Sequence, residues 1–457
     1  MKIKSGIEIH QQLDTNKLFC NCPSVLRKEE PEFEIKRKLH AVAGETGDID
    51  KAVVYETEKD REFIYEGYDS ICLVELDESP PYLINQDALI IGLHIALLLN
   101  CEIIPVSQIM RKTVLDGSNT SGFQRTVIIA RNGYIETEYG KVRIDNISLE
   151  EDSARVISKE ENRFRLDRLG IPLVEIGTAA DIETAEQAKE TALHIGEILR
   201  SCKVKRGIGT IRQDINISIK GHPRVEIKGF QDVKMFVPTI EKEIERQIEN
   251  IKNKNLTSEV RNALPDGKTE FLRPMPGASR MYPETDLPLL IINKKLIDEA
   301  KRTIPKLRNE IKNELKDKGL NQEEIYILLK QKRLEDFKEM IQIVNDPKFV
   351  YKTLIELPAK IGDINFDIIE NIISLVKDNK LNKEDVRIAM ERIKEGKTLE
   401  EAILFDKADI GEVEAEIIKL IKEKPGLTIG GYMGLIMNNF KGKISGKEAN
   451  EILKKFI

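Results

Sequence analysis

The chain of 457 residues is 40% hydrophobic and 33% charged, with a formal net charge of −6. Its length exceeds what one compact core holds and predicts roughly two to four domains, and its composition is typical of a soluble globular protein. The sequence contains no run of about 18 apolar residues, which excludes a transmembrane helix. The acidic balance excludes a protein that coats nucleic acid with a uniformly basic surface.

The N-terminus and the cysteines predict a cytoplasmic location. The first residues, MKIKSGIEIHQQ, lack the apolar region of a signal peptide and enter a strand pattern at once. The five cysteines form an odd and scattered set, which indicates a reducing compartment rather than a disulfide framework. Cys20 and Cys22 make up half of a zinc motif, but no second closely spaced pair follows, so a structural zinc is not expected.

Residues 1–290 are predicted to form a strand-rich α+β domain with a mostly antiparallel sheet. Apolar and polar residues alternate, as in strands that bury one face, at residues 7–10, 174–176, 214–219 and 225–228. Helical spacing of apolar residues predicts helices at 85–100, 184–202 and 237–255. The first two helices begin with Asn85 and Thr184, residue types that cap helix N-termini. This order differs from the regular βαβ repeat of a doubly wound sheet.

The rest of the chain is predicted to form a helical domain at 291–400 and a small helical tail domain at 401–457. From Ala415 to Ile457 eight lysines face four glutamates, a local charge of +4. A second basic run, CKVKRGIG, lies at 202–209. Local basic patches on an acidic protein suit a specific nucleic-acid partner, whereas an ordinary solvated lysine-rich helix explains the composition equally well.

The polar faces of the predicted strands carry the candidate chemistry. Because side chains alternate along a strand, Glu8 and His10 share one side of the first strand, and Glu226 and Lys228 share one side of another. A third strand places four polar residues on one side, namely Arg212, Asp214, Asn216 and Ser218. Any single face of this kind is ordinarily wet and inert. Acids, a histidine, arginine and lysine on several strands together indicate a site.

Three consecutive acids, Glu150, Glu151 and Asp152, lie in the segment ISLEEDSARVI. Carboxylate oxygens are the natural ligands of Mg²⁺, which binds one or two of them together with substrate phosphates. Alone, such a run is typical of charges at a helix N-terminus. It predicts a metal site only if these acids converge with Glu8, His10 and Glu175.

The residue composition of two loops is typical of loops that bind a ligand closely. The segment LDGSNTSGFQRT, residues 115–126, places Ser, Asn and Thr around Gly117 and Gly122 and includes Arg125. Its backbone N–H groups suit phosphate or carboxylate oxygens, although it matches neither of the standard nucleotide-binding loops. The segment FLRPMPGASRMYPETDLP, residues 271–288, is proline-rich and includes two arginines. Each segment is equally well explained as a connector.

Long ordered motifs in this chain resemble the tRNA-dependent amidotransferase B/E family, and within it the archaeal E type most closely. They are spread over residues 6–290 and read GIEIHQQLDTNKLFCNCP, MRKTVLDGSNTSGFQRT, ISLEEDSARVI, LDRLGIPLVEI, VKRGIGTIRQDINISI, VEIKGFQ and TEFLRPMPGASRMYPETDLP. The segment MGLIMNNFKGKISGKEANEILKKF extends the resemblance to the tail domain.

The resemblance implies a two-step reaction. With ATP and Mg²⁺, the γ-carboxylate of glutamate esterified to tRNA(Gln) is phosphorylated, and ammonia then displaces the phosphate to give Gln-tRNA(Gln). The implied partners are charged tRNA(Gln), bound in part by the tail, and an asparaginase-like glutaminase D subunit in an α2β2 heterotetramer. Neither DNA nor a membrane is implied.

The resemblance also assigns roles to residues at matching motif positions. Catalytic metal binding is assigned to Glu8, His10, Glu150, Glu151 and Glu175, and motif position does not decide between Glu150 and Glu151. Substrate or phosphate binding is assigned to Ser118, Asn119, Arg125, Arg212, Asp214, Glu226, Lys228 and Arg280.

Two departures from the family pattern and two alternatives remain at this point. One departure is the lone Cys20 and Cys22 pair, where many B subunits have four cysteines, so the resemblance does not imply a structural zinc. Archaeal E subunits carry an insertion related to bacterial aspartyl-tRNA synthetase, expected near 254–258, which this chain lacks, so tRNA discrimination by such a domain is in doubt. A B-type subunit that also accepts Asp-tRNA(Asn) is the nearest alternative. A non-catalytic tRNA-binding scaffold is the other, and a carboxylate cluster facing phosphates argues against it.

Overall fold

The computed structural model describes residues 2–43, 47–49, 51–230, 232–275, 281–404, 409–440, 444 and 446–456. It divides into two units, Met1–Arg308 and Asn309–Ile457. The first unit is strand-rich and the second is helical, which confirms the α+β prediction. None of the helices in these ranges is long and apolar enough to cross a membrane.

Strands dominate the described part of the first unit, and five α-helices accompany them there. In chain order the strands are β1 (Lys4–Gln12), β2 (Phe33–Lys38), β3 (Glu62–Gly67), β4 (Glu102–Ile103), β5 (Val106–Ser107), β6 (Met110–Thr113), β7 (Phe123–Thr137), β8 (Gly140–Glu151), β9 (Arg155–Ser158), β10 (Arg163–Arg165), β11 (Pro172–Thr178), β12 (Ile211–Ser218), β13 (Val225–Phe230), β14 (Glu259–Ala263), β15 (Thr269–Pro274), β16 (Met281–Pro283) and β17 (Leu290–Ile291). The helices are α1 (Lys51–Thr57), α2 (Gln86–Leu98), α3 (Ala185–Ser201), α4 (Phe236–Lys252) and α5 (Lys294–Thr303).

One large sheet organises this unit. Its order within the described ranges is β15-β14-β13-β12-β1-β11-β8-β7-β6-β16, and β4 pairs with β7. Strands β13 and β14 run parallel, whereas β1 is antiparallel to both of its neighbours, β11 and β12. The motif-bearing strands predicted from the sequence therefore lie side by side in the middle of the sheet.

The large sheet must be strongly curved. Pro274 ends β15 at one edge, and Met281 begins β16 at the opposite edge. Seven residues of chain span at most about 25 Å, whereas ten strands laid flat would separate the edges by about 43 Å. One cavity is lined by Arg273 at one edge of the sheet, by Met281 at the other edge and by His10 in the central strand. Because both edges approach the same polar face, that face is the concave one.

The convex face of the sheet forms the core of the unit. Ile7 and Ile9 of β1 are almost wholly buried, as are Ile215 and Ile217 of β12. They pack in one apolar cluster with residues of α2, α3 and α4. Burial of one such side chain contributes about 2 kcal/mol. The alternation of these isoleucines with polar residues therefore fixes which face of the sheet carries the site.

The helices predicted from the sequence are confirmed with small changes at their ends. The side chain of Asn85 accepts a hydrogen bond from the backbone N–H of Ala88, and that of Thr184 accepts one from Gln187. Both residues are therefore the N-caps that their types predicted. Between α4 and β14, residues 254–258 form a short direct connection at the point where the family insertion was expected.

A smaller sheet, β2-β3-β10-β9, packs against the loop that precedes β7. Its apolar cluster includes Phe63, Tyr65 and Phe164. Gly117 of the loop has a φ of 92°, and a Cβ there would lie 2.3 Å from Cδ1 of Phe63. Only glycine meets both requirements, so this position fixes the loop on the small sheet.

The second unit consists of helices. They are α6 (Arg308–Asp317), α7 (Gln322–Lys330), α8 (Leu334–Ile343), α9 (Pro347–Tyr351), α10 (Leu357–Ile361), α11 (Phe366–Lys377), α12 (Val386–Lys394), α13 (Leu399–Ile403), α14 (Ile410–Glu423), α15 (Ile429–Asn439) and α16 (Gly446–Leu453), with a π-helical turn at Lys352–Glu356. Helices α14 to α16 share an apolar cluster separate from that of the preceding helices.

The first unit extends beyond residue 290, where the sequence placed a domain boundary. Helix α5 packs on α2, because Ala300 is buried in the same core and Nε2 of His94 lies 2.8 Å from Oγ1 of Thr303. The division of the remainder at residue 400 stays a prediction.

Candidate active site

A polar cavity of about 810 Å³ lies on the concave face of the large sheet. Charged side chains from the central strands line it, including Glu8, His10, Glu150, Glu175 and Asp214. Ile7, Ile9 and Ile215 on the alternate positions face the apolar core, so Glu8, His10 and Asp214 face the cavity.

Three potential ligands converge at the centre of the cavity. Nε2 of His10 lies 3.4 Å from Oε1 of Glu150 and 3.4 Å from Oε2 of Glu175. His10 and Glu175 are direct partners in the register of β1 and β11, whereas Glu150 projects from β8. The ammonium of Lys112, from β6, lies 3.3 Å from Glu150 and 3.6 Å from Glu175. We refer to His10, Glu150 and Glu175 as the central triad.

The charges of the central triad depend on one another. Burial would raise the pKa of Glu175, but Lys112 and the hydrogen bond with His10 hold it well below its ordinary value of 4.5. Burial raises the pKa of Glu150, and the charge of Lys112 offsets this only in part. Burial would lower the pKa of His10, yet its contacts with Glu175 and Glu150 raise it. Glu175 is therefore the carboxylate of the triad that stays ionised most readily.

A second acidic group lies beside the first, formed by Glu8, Asp214 and Glu226. The ammonium of Lys228 lies 2.6 Å from both Asp214 and Glu226. The side chain of Asn216 donates a hydrogen bond of 3.1 Å to Glu8. Burial and the neighbouring carboxylates raise the pKa of Glu8, whereas Asp214 and Glu226 raise that of Lys228 against the effect of burial. We call these three acids the lateral triad.

Both triads fit a divalent cation. In each, one donor atom from every residue lies within 4.8 Å of the others. Ligands of Mg²⁺ at about 2.1 Å from the ion are separated by about 3–4 Å, so small side-chain movements suffice. Oxygen donors predominate in both, which is the chemistry that Mg²⁺ prefers, and the single imidazole in the central triad is also compatible with Mn²⁺.

The structure corrects the expectation of one metal site built from five residues. Glu8 belongs to the lateral triad rather than to the central one. Glu150 faces the cavity, whereas Glu151 faces the opposite side of β8 and contacts Arg125. The physical reason is the alternation of a strand, which turns two consecutive residues to opposite faces. Asp152 binds Arg212 at 2.9 Å and Gln12 at 2.7 Å.

Arg125 also departs from its predicted place. It was assigned to substrate or phosphate binding, but its guanidinium is buried on the face opposite the cavity, between Glu151 and Glu284. Gln124 and Thr126, its neighbours in β7, line the cavity instead. Arg280, predicted as a substrate-binding residue, lies outside the described residues.

The other predicted binding residues do meet at the cavity. Ser118 and Asn119 of the loop before β7 line it, as does Arg212. The side-chain carbonyl oxygen of Asn119 is buried and lacks a hydrogen-bond partner within the described part of the chain. A buried unsatisfied oxygen is costly, so this atom is suited to a donor on a bound molecule.

Sequence reasoning missed Lys112, although it lies in one of the quoted motifs. Strand β6 is only four residues long, too short for alternation to reveal a polar face. Arg224 also lines the cavity and was not predicted as a site residue, whereas Arg273 lines it from the proline-rich segment that was a candidate for ligand approach. Arg273 lies two strands beyond Glu226 in the register of β13, β14 and β15, which only the pairing of those strands reveals.

A third cluster contains cysteine and lies outside the cavity. Cys20 and Cys22 do not stand alone, because Cys72 and Glu75 lie with them, one ligand atom of each within 4.8 Å of the others. Lys17, whose side chain is wholly buried, places its ammonium 2.8 Å from Glu75. The five cysteines are all described, and none forms a disulfide.

Comparison with known proteins identifies the class of domain to which the curved sheet and its charged cavity belong. The family model for the GatB/GatE catalytic domain matches residues 3–298. The chain therefore belongs to the GatB/GatE amidotransferase family.

Relatives from archaea match almost the whole chain. Proteins named as the E subunit of glutamyl-tRNA(Gln) amidotransferase are 34% identical in Methanocaldococcus jannaschii, 32% in Methanosarcina barkeri and 31% in Sulfurisphaera tokodaii. The alignments cover 99%, 99% and 100% of this chain and 98%, 97% and 98% of the relatives. The first spans 616 positions although this chain has 457 residues, so at least 159 positions of that alignment have no counterpart here.

Proposed function

We propose that the chain is the E-type component of a glutamyl-tRNA(Gln) amidotransferase. Its cavity phosphorylates the γ-carboxylate of glutamate on tRNA(Gln) with ATP and Mg²⁺, and it then directs ammonia to the activated carbonyl carbon. The observation that carries the proposal is the convergence of the central triad, the lateral triad and several cationic side chains in one cavity. The names of the archaeal relatives support the amidotransfer on Glu-tRNA(Gln).

The two steps have a clear chemical logic. A free carboxylate is a poor electrophile, so its oxygen first attacks the terminal phosphorus of ATP, and the bond from that phosphorus to the bridging oxygen breaks to release ADP. The nitrogen of ammonia then attacks the carbonyl carbon of the acyl phosphate. Phosphate leaves as the carbon–oxygen bond breaks, and loss of a proton from nitrogen completes the amide. Such catalysis depends on positioning and charge neutralisation.

The side chains of the cavity suit these tasks. Mg²⁺ would be held by the central triad, the lateral triad or both, where it neutralises charge on the phosphates of ATP. Lys112 lies against the central triad, and Lys228 lies against the lateral one. Arg224 and Arg273 place guanidinium groups on the same wall as Glu226, where they suit phosphate oxygens.

The proposal includes the partners implied by the family. An asparaginase-like D subunit supplies ammonia from glutamine, in an α2β2 heterotetramer, in the reducing cytoplasm. Glutamate-charged tRNA(Gln) is the substrate, and the tail domain contributes to its binding. Support for the assembly comes from the relatives, whose names describe one subunit of an amidotransferase.

The test is a comparison of ADP and Gln-tRNA(Gln) formation by the reconstituted complex with Glu-tRNA(Gln), ATP, Mg²⁺ and glutamine. Glu150→Ala should abolish both products while glutamine hydrolysis by the partner continues. Glu136→Ala, at an exposed position of β7, is the matched control and should behave as the wild type. ADP formation that does not depend on Glu-tRNA(Gln), or that survives in Glu150→Ala, would contradict the proposal.

A further inference from the structure

A chain of buried ion pairs lies beneath the cavity, on the opposite face of the sheet. Glu151 accepts hydrogen bonds from the backbone N–H of Arg125 at 3.2 Å and from its guanidinium at 3.3 Å. Nε of Arg125 donates to Glu284 at 2.8 Å. Glu284 also accepts from Arg111 at 2.5 Å. We call Glu151, Arg125, Glu284 and Arg111 the buried network.

The buried network and the cavity share the same three strands. Glu151 is the last residue of β8 and directly follows Glu150, whereas Arg111 directly precedes Lys112 in β6. Arg125 lies between them in β7. Because neighbouring residues face opposite sides, each member of the network on these strands lies under a segment that presents a side chain to the cavity.

Glu284 connects this network to the edge of the sheet. Its backbone N–H donates to the carbonyl of Ile109 at 2.8 Å, and Gln108 donates to its backbone carbonyl at 3.1 Å. Just before it, Met281 of β16 pairs with Lys112 of β6. Strand β6, which carries Lys112, is therefore held on one side by β7 with Arg125 and on the other by β16 with Glu284.

Stability alone gives no reason for this arrangement. The side chain of Glu284 is wholly buried, and those of Arg125 and Glu151 are 7% and 9% exposed. Buried ion pairs stabilise a fold no better than well-packed apolar residues of similar volume, because desolvation offsets their attraction. Elsewhere the face opposite the cavity carries isoleucines such as Ile7 and Ile9. In contrast, β6, β7 and β8 carry Arg111, Arg125 and Glu151 on this face. Two of these strands also carry Lys112 and Glu150 on the cavity side.

We propose that Glu151 and Glu284, acting through Arg125 and Arg111, are positioning residues that set the spacing between Glu150 and Lys112 in the cavity. The inference rests on the function proposed above, because it states that this spacing is needed for phosphoryl transfer. The inference gives Glu150 and Glu151, which are consecutive in the chain, different roles. Glu150 faces the reacting groups, whereas Glu151 is held by Arg125 on the other face and orients the strand.

The test compares Glu150→Gln, Glu151→Gln and Glu284→Gln in the full complex. Asp167→Asn is the matched control, because Asp167 is equally buried and pairs with Arg155 away from the cavity. Three quantities are measured for each protein: Mn²⁺ affinity by electron paramagnetic resonance, kcat and KM for amidation of Glu-tRNA(Gln), and the midpoint of thermal unfolding. Kinetics are measured well below each midpoint, so that every variant is folded.

Glu150→Gln should weaken Mn²⁺ binding about tenfold or more. Glu151→Gln and Glu284→Gln should retain Mn²⁺ affinity and KM but lower kcat about ten- to a hundredfold, as misplacement of catalytic groups does. Their double variant should lose little more than either single variant, because both act through Arg125. Asp167→Asn should lower the unfolding midpoint and leave kcat unchanged.

Loss of Mn²⁺ affinity in Glu151→Gln equal to that in Glu150→Gln would make Glu151 a metal ligand and overturn the proposal. A loss of kcat that merely matches Asp167→Asn would overturn it as well, because the network would then be structural only. If Glu151→Gln does not fold, Glu284→Gln tests the same network from its other end. Absence of ATP-dependent amidation in the wild type would overturn the proposed function and the catalytic spacing with it, whereas the Mn²⁺ titrations would still decide which glutamate is the ligand.

Discussion

Nε2 of His10 lies 3.4 Å from Oε2 of Glu175, and the two residues face each other directly across β1 and β11. This cross-strand pair places an imidazole against the carboxylate whose pKa is held well below its ordinary value, by Lys112 and by His10 against the effect of burial. A carboxylate that stays ionised beside an ammonium and an imidazole is a ready position for a divalent cation, which would compete with the ammonium for it.

Glu175→Gln should therefore raise the Mg²⁺ concentration for half-maximal amidation by about tenfold or more, because it removes one charged ligand of the central triad. Glutamine hydrolysis by the partner should be unaffected. Mg²⁺ titrations of Gln-tRNA(Gln) formation check the result, with Glu136→Gln as an exposed control on the same sheet. An unchanged half-maximal concentration would show that Glu175 does not bind the metal.

Lys228 neutralises the lateral triad, so its removal should expose the repulsion among Glu8, Asp214 and Glu226. Its ammonium lies 2.6 Å from two of these acids, and its side chain is 28% exposed. Lys228→Met should lower the free energy of unfolding by about 2 kcal/mol, less than the 3–5 kcal/mol typical of wholly buried pairs.

Added Mg²⁺ should restore part of the stability of Lys228→Met, because a cation then replaces the lost ammonium. Thermal unfolding with and without Mg²⁺ measures both effects. Equal stabilisation of wild type and variant by Mg²⁺ would argue against cation binding at the lateral triad.

The part of the site that could be predicted from the sequence is the part that strand alternation determines. Period 2 correctly placed Glu8 with His10 and Asp214 with Arg212 on cavity-facing sides, because Ile7, Ile9 and Ile215 had to be buried. Motif position left Glu150 and Glu151 undecided, whereas the same alternation distinguishes them. Ile147 and Leu149 are buried, so Glu151 lies on their side of β8 and Glu150 faces the cavity.

Contacts that depend on the curvature of the sheet were beyond sequence reasoning. Glu284 meets Arg125 only because β16 returns to pair with β6 after the chain has formed the opposite edge at β15. The cysteine cluster is another case, since Cys72 joins Cys20 and Cys22 from 50 residues away. Both are long-range contacts without a local pattern.

Glu284 should make the stability of the protein depend on pH in the acid range. Burial would raise its pKa, but Arg111 and Arg125 hold it below its ordinary value of 4.5. Its contribution is therefore complete above pH 4.5 and is lost as the pH falls through the lowered pKa.

Glu284→Gln should accordingly be less stable than the wild type at neutral pH, by about 3 kcal/mol, and this difference should shrink below pH 4.5. Urea unfolding of both proteins between neutral and acid pH measures the difference directly, because contributions from other groups cancel. A difference that is constant over the whole range would show that the ionised form of Glu284 is not the stabilising one.

The cysteine cluster should contain little zinc, as the sequence also predicted. Burial raises the pKa of Cys72 to about 11 and raises that of Cys20, and the neighbouring Glu75 adds to both effects. Lys17 already neutralises Glu75, and its fixed charge would repel a second cation.

Mass spectrometry of the purified protein should therefore find well below one zinc per chain. Lys17→Met removes the competing charge and should increase zinc uptake, whereas Lys2→Met, a surface control, should not. One tightly held zinc per wild-type chain would refute the expectation and would identify the cluster as a structural metal site.

The lysines at the end of α14 should contribute to tRNA binding. Lys419, Lys422 and Lys424 are exposed and lie in the segment with a local charge of +4. Replacing all three by glutamate should weaken binding and reduce the slope of log affinity against log salt by about 2–3, since each lost phosphate contact removes about 0.7–0.9. Filter binding over a range of salt concentrations measures both quantities. The same replacement at Lys377, Lys380 and Lys397, exposed lysines elsewhere in the second unit, controls for net charge. If both triple variants lose affinity equally, the effect comes from total charge and the tail has no specific role.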